Sequence, residues 1–366
     1  MKTMTIQRLP RSPRRRWKAA AAALLSLSAF TAPAPAQAQE EGWLLAGIRR
    51  TIPDPHIAEL VDLRTGARRA LPMGQSSLAQ HINVDVWSAS RASARTLLRT
   101  DDRGNADFFD SESLRPLASF SLTSLPGTRR PIFLGIPRLS ADGQYMLTYW
   151  IRDVRSVAPE LTIFDRQGRE LRQVLAPSEG NGRRVEAIAW TPRKGRFVFL
   201  DEQGINVCQL DTPRCLTAPL RLPPGVGMGG ASIDVSPDGQ HLALVLGQFW
   251  RDSSGHNKSH SVLFAANLDG TSLHQLTAPS KALQESGTDY APLNPRWSPD
   301  GRQIAFTPRG ADPGLAFNFH QPCAETRVVD AQGGVQELGV AAPPQTLLKA
   351  GGAPVTICSF MQWIAP

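Results

Sequence analysis

The chain lacks an apolar run long enough to cross a bilayer: even Ala19 to Phe30 is about a dozen residues, where about twenty are needed. It holds four cysteines in 366 residues and no CxxC pair, which leaves the usual zinc frameworks without ligands. No Gly-x-Ser-x-Gly elbow is present to seat a hydrolase nucleophile, and no EF-hand string to hold calcium. The paired carboxylates Glu40-Glu41 and Asp101-Asp102 have no partner spacing that suits acid–base work. The sequence thus points away from a motif-borne chemistry; no cofactor is expected, and calcium on loop carboxylates is left without support.

Acidic residues are also absent from the first 38 positions, where Lys2, Arg8, Arg11, Arg14, Arg15, Arg16 and Lys18 precede the apolar run. The run leads through TAPAPAQA to the small residues Ala36 and Ala38, the pattern of a cleavable export signal cut near Ala38. Residues 1–38 are therefore read as a leader and 39–366 as one domain, periplasmic or secreted. No cysteine follows the run to carry a lipid. Arg14 to Lys18 also has the look of a twin-arginine signal, and both export routes stay open. Removing the leader changes the charge argument: of 40 basic and 32 acidic residues it takes seven basic ones, leaving 33 against 32. A mature chain at a formal +1 has no net field for phosphates, so nucleic acid is not an expected partner.

In an exported chain an even set of cysteines favours disulfides. Cys208 and Cys215 bracket the short segment QLDTPR and pair most simply with each other, leaving Cys323 for Cys358.

Glycine and proline, 30 of each, punctuate the rest, and they do so periodically. PRLSADGQYMLTYW (137–150), IAWTPRKGRFVFL (188–200), IDVSPDGQHLALVL (233–246) and PRWSPDGRQIAFTP (295–308) share one pattern of apolar strand, polar turn and apolar strand. A degenerate copy at 84–98 is anchored on Trp87. The Asp-Gly pairs are hairpin signals, because glycine takes positive φ without steric cost. A second family of six hairpins follows: LVDLRTGARRAL, FFDSESLRPL, IFDRQGRELRQV, NVCQLDTPRCL, FAANLDGTSLHQL and RVVDAQGGVQEL. Together they give about four strands per unit of about 45 to 60 residues, the size of a propeller blade. The first unit lacks an inner strand, and ICSFMQWIAP at 357–366 supplies one. The expected fold is all-β: a six-bladed β-propeller whose C-terminal strand completes the first blade.

The stretches PRWSPDGRQIAF and NLDGTSLHQLT resemble the WD40-like, or PD40, repeat of TolB-type six-bladed propellers. The resemblance extends over about residues 42–366, though those proteins carry an α/β domain ahead of the ring for which this chain has no room. It implies a periplasmic, monomeric binding module engaging an envelope protein or a peptidoglycan-associated partner. The rival class is a propeller hydrolase or lyase with its site at the mouth of the axial channel.

Two sets of residues are candidates for binding. The insertions at 148–160, 249–261 and 309–323 all fall between second and third strands and so leave by one face; they offer Trp150, Arg152, Trp250, Arg251 and Phe319. Inner strands line the axis, and the residues just before the apolar anchors are Arg138, Asp234, Arg296 and Gln362. His256 and His260 are four apart, but GHNKSH has the composition of a loop.

Overall fold

The computed structural model describes residues 42–48, 57–72, 86–89, 95–101, 103–153, 155, 158–176, 184–251, 254–280, 291–309, 324–338, 347–357 and 361–365. The expected leader, Phe319, Cys323 and Cys358 lie outside these residues.

Six antiparallel blades form in chain order, each with its strands running inner to outer. Blade 2 consists of Val86–Ala89, Thr96–Thr100, Asn105–Asp110 and Pro116–Ser121, and blade 4 of Val185–Trp190, Arg196–Asp201, Gly204–Gln209 and Leu216–Ala218. In blade 1 the inner position is filled by Met361–Ile364, which pairs with Trp43–Ile48 in the register Trp43↔Ile364, Leu44↔Trp363, Leu45↔Gln362 and Ala46↔Met361. The two ends of the fold therefore meet in one sheet. Among the described residues the helical content is a single 3-10 turn, Leu122–Ser124.

Six apolar clusters account for the ring, one between each pair of successive blades. Leu45, Leu60 and Leu97 join blades 1 and 2, and Phe108, Trp150 and Phe164 join 2 and 3. Leu161, Ile188 and Phe199 join 3 and 4, and Leu200, Leu244 and Phe264 join 4 and 5. Val245, Trp297 and Phe306 join 5 and 6, and Trp363, Leu44 and Val328 close 6 onto 1. A central strand is buried on both faces, so its sequence reads as a continuous apolar run such as LALVL instead of alternating.

The repeated turn has a mechanism that goes beyond its Asp-Gly pair. In Ser-x-Asp-Gly the serine hydroxyl donates to the aspartate two residues on, at 2.7 Å for Ser140–Asp142, 2.5 Å for Ser236–Asp238 and 2.6 Å for Ser298–Asp300. The same hydroxyl accepts the backbone N–H that starts the next strand, from Tyr145, His241 and Gln303, each at 2.9 Å. Gly143, Gly239 and Gly301 sit at φ of 68°, 70° and 73°, where a side chain is strained.

Five of the six outer hairpins form as expected, and the sixth does not. In RVVDAQGGVQEL the returning segment Gln336–Leu338 pairs in parallel with Thr277–Pro279 at the exit of blade 5. The place beside Arg327–Asp330 is taken by Leu347, with Thr326 N–H donating to Val355. Pairing in the first blades matches the sequence, but the anchor of blade 2 is Ala89, not Trp87. Anchor and partner are seven residues apart in Leu139↔Met146, Trp190↔Phe197, Val235↔Leu242 and Trp297↔Ile304, while Ala89↔Leu97 are eight apart. The turn of blade 2 is one residue longer than the others, and its anchor lies two residues beyond Trp87.

Contacts at the rim alternate around the ring. From blade 1, Arg69 donates to the carbonyls of Ser111 and Glu112 in the outer turn of blade 2. From blade 3, Arg172 does so to Gln209 and Pro213 of blade 4, and from blade 5 a ring nitrogen of His274 lies 3.1 Å from the Ala331 carbonyl of blade 6. At the other three junctions an outer turn glycine fits directly under the preceding blade, and between blades 2 and 3 Arg166 also donates to Thr96 Oγ1 at 2.8 Å. Gly168 lies beneath Phe120, Gly270 against Pro219 and Gly66 against Ala350.

The outer turns also carry acid sensitivity. Asp110 Oδ1 accepts from the Ser113 N–H and hydroxyl, both at 2.7 Å, and from Glu112 N–H at 3.2 Å. The Ser113 bonds chiefly hold its carboxyl below the usual range. A depressed folded pKa contributes stability above the unfolded value, and that contribution fades as pH falls through the folded one. Asp110→Asn is therefore expected to lower the melting temperature above about pH 4 and to converge with the wild type towards about pH 2. Parallel melting-temperature curves over that range would contradict this.

Candidate functional site

The six inner strands contact one another in a closed cycle. At the axis they enclose a cavity of about 30 Å³ to which each strand contributes: Gln362, Ser88, Arg138, Ala189, Asp234 and Arg296, from blades 1 to 6 in order. That is room for little more than ordered water.

These side chains lace the blades together. Gln362 Oε1 accepts from Ala89 N–H at 2.9 Å and its Nε2 donates to the Ala89 carbonyl at 2.5 Å. Ser88 Oγ accepts from Leu139 N–H at 3.0 Å, and Asp234 Oδ2 from Trp297 N–H at 2.9 Å. Arg296 donates from Nε to the Met361 carbonyl at 2.6 Å, and the Trp190 indole donates to the Arg138 carbonyl at 2.9 Å. Each bond runs between neighbouring blades. The expected axial residues thus share one level of the ring, where Asp234, Arg296 and Gln362 act as fasteners. Ser88 was missed because the anchor was expected two residues earlier, at Trp87.

Above this level lies a much larger basin of about 700 Å³, with Arg138 on its floor. Leu134, Ile136, Tyr149 and Ile151 wall it from blade 3, Val185 and Ile188 from blade 4, and Ile233 from blade 5. Three inner strands bulge where they enter it, between Val185 and Ala187, Gly227 and Ser232, and Leu293 and Arg296. Asn294, on the wall, sits at a φ of 51°, an uncommon conformation outside glycine. Bulges take residues out of the ladder and re-aim side chains, and they concentrate next to binding sites. Burial pushes the Tyr149 phenol up, with Val185 N–H pulling the other way, so it is a neutral hydroxyl at physiological pH. Arg184 and Glu186 form an ion pair at 3.1 Å on the rim.

The face bearing the basin is where inner strands begin and second strands end, so the second-to-third hairpins leave there. Blade 3 has a short one. Its Trp150 is fully buried, with its indole donating to Thr162 at 3.1 Å, so it fills the blade and is withdrawn from any partner. Arg152 lies 5.0 Å over the Trp150 ring and bridges Glu160 at 2.5 Å and Glu170 at 2.8 Å. Burial pushes the Glu160 carboxyl up against the pull of Arg152. For Arg152 burial works against the charge, but Glu170 and Glu160 outweigh it. Arg152 is thus held as a cation, paired with Glu170 nearer solvent as well as with Glu160.

Blade 5 departs most from its loop-like sequence. Its strands His241–Arg251 and Asn257–Asn267 stay paired from His241↔Asn267 to Arg251↔Asn257, so GHNKSH is largely strand. His260 is buried, stacked 4.4 Å beneath Trp250, and Arg251 is exposed near the tip. Cys208 and Cys215 form the expected disulfide, with Cα atoms 4.3 Å apart. Among the described residues, no three His, Cys, Asp or Glu side chains group to hold a metal, and no helix is long and apolar enough to cross a membrane.

The ring is a six-bladed β-propeller. No family model matches the chain, and no curated protein does. Among solved structures it is similar to the β-propeller domain of Cps50 (Swd1) from Myceliophteria thermophila, at 14% identity and a TM-score of 0.46, over 88% of this chain and 90% of that one.

Proposed function

We propose that the chain is an exported, monomeric binding module of the TolB type, which engages an envelope protein or a peptidoglycan-associated partner through the basin face. The observation that carries this reading is the contrast along the axis: a narrow lower level fastened by hydrogen bonds, beneath a basin of about 700 Å³ walled by apolar side chains and entered by three bulged strands. A few polar groups among apolar walls are what a recognition site needs to orient a partner. The leader pattern in residues 1–38 supports export, with this surface in the periplasm. Leu134, 44% exposed, and Ser232 offer positions at which bulk can be added without touching the core. In pull-downs from envelope extract with residues 39–366, the double variant Leu134→Arg/Ser232→Arg should lose the specific partner. Leu117→Arg, on the outer strand of blade 2, should keep it. Equal capture by all three would reject the basin as the site.

A further inference from the structure

Beyond the basin, the extended hairpin of blade 5 presents a second surface. Phe249 lies there 52% exposed, the most exposed aromatic ring among the large apolar side chains in the described residues. It is held in place from beneath. Gly227 and Gly247 are cross-strand partners, and a Cβ added to either would come within 3.1 Å and 3.0 Å of the Phe249 ring. The Cδ2–Cε2–Cζ edge of the ring therefore sits on a strip of backbone without side chains, and Phe249 N–H donates to the Gly225 carbonyl at 2.6 Å. Covering two glycines accounts for that edge; about half of the side chain remains exposed to solvent.

The neighbours on that side are set by register. Directly opposite residues of an antiparallel pair point to the same face, so Ser259 stands beside Phe249, Ser261 beside Gly247 and Asn257 beside Arg251. The surface is thus a flat aromatic ring bordered by hydroxyls, an amide and one guanidinium, with no carboxylate among these residues. A protein knob finds no hole in such a surface. A lone guanidinium on an open surface also gives an anion little purchase. A pyranose ring fits instead: its axial C–H groups lie on the π face, whose negative quadrupole attracts them, while its equatorial hydroxyls reach Ser259, Ser261 and Asn257.

We propose that the Phe249 face of the blade 5 hairpin binds a neutral glycan by stacking one sugar ring on Phe249. The site uses none of the basin residues, so it stands or falls apart from the partner reading above.

The test is isothermal titration of residues 39–366 with chitotetraose, cellotetraose and maltotetraose, alongside a proline-rich decapeptide. At least one oligosaccharide should bind. Phe249→Leu keeps apolar cover over the glycines but removes the flat ring, and should weaken that affinity by at least about fivefold; Phe249→Trp should keep or raise it. Leu134→Arg/Ser232→Arg should leave it unchanged. The proposal is overturned if no oligosaccharide binds, if Phe249→Leu binds as well as the wild type at an unchanged melting temperature, or if only the peptide shows Phe249-dependent binding.

Discussion

A chain ended before Met361 is expected to lose its cooperative unfolding transition and to become protease-sensitive throughout, not only in blade 1. Met361–Ile364 supplies the inner strand of that blade, and its Met361 and Trp363 are 1% and 3% exposed within the cluster joining blades 6 and 1. It also provides both interblade fasteners next to the closure, since Arg296 donates to the Met361 carbonyl and Gln362 grips the backbone of Ala89. Losing a buried tryptophan alone costs about 3 to 5 kcal/mol, and domain stabilities are about 5 to 15 kcal/mol. Removing the strand takes that contribution together with a ladder and two edges, so the sum rivals the whole stability. Trp363→Ala should show the graded form of the effect, a fall of about 3 to 5 kcal/mol in urea unfolding. A truncated chain that melts at the wild-type temperature would mean that the ring does not depend on closure.

The second large effect is expected at Gly168. Its φ is +77°, and a Cβ there would lie 2.6 to 2.8 Å from Phe120, whose ring packs with Phe108 and Phe164. Alanine thus meets two penalties, about 1 to 2 kcal/mol for the left-handed backbone and about 1 to 3 kcal/mol for forcing a packed ring aside. Gly168→Ala should lower stability by about 2 to 5 kcal/mol. The two parts can be separated with Phe120→Gly, which vacates the space, Cβ included, while leaving the Gly168 φ unchanged. In a double-mutant cycle Gly168→Ala should cost less in the Phe120→Gly background, and the difference measures the packing share. Additive effects would show that Phe120 yields freely and that the cost is conformational alone.

The blades were legible because their signals are local: Asp-Gly turns, apolar runs buried on both sides, and tryptophans at a fixed place in the repeat. The closing strand was legible as well, since a missing inner strand at one end and a surplus one at the other can only be reconciled by pairing them. What failed depends on space. The returning strand of RVVDAQGGVQEL has the composition of its five counterparts, and nothing local shows that Leu347 takes its place beside Arg327. The register of a strand is equally hidden where a turn changes length: the anchor of blade 2 is Ala89, two residues beyond Trp87, and Ser88 just before it escaped notice.

At the candidate site, the fold uses for its own packing several of the side chains that the sequence singled out. Trp150 and Arg152 lie in a segment that reads as an aromatic, charged insertion, yet the strand carries Trp150 into the core and uses Arg152 to neutralise a buried carboxylate. The hairpin GHNKSH is polar because its outer strands are wet, not because it is irregular. The basin has no motif at all. It arises from three bulges on separate blades, each an irregularity of pairing that becomes a shared wall only when the ring closes.

The closure also determines how the molecule bears force. Trp43 is paired with Ile364, so the first residue of one strand and the last of the other lie side by side at the same end of their ladder. A pull that separates these two ends loads one hydrogen-bonded pair at a time, like opening a zip, whereas a pull along the strands would load the whole ladder at once. Tension applied between the ends should therefore part blade 1 at low force and spill the ring from its seam. Tension applied between the outer edges of two blades should meet the full resistance of the packed clusters.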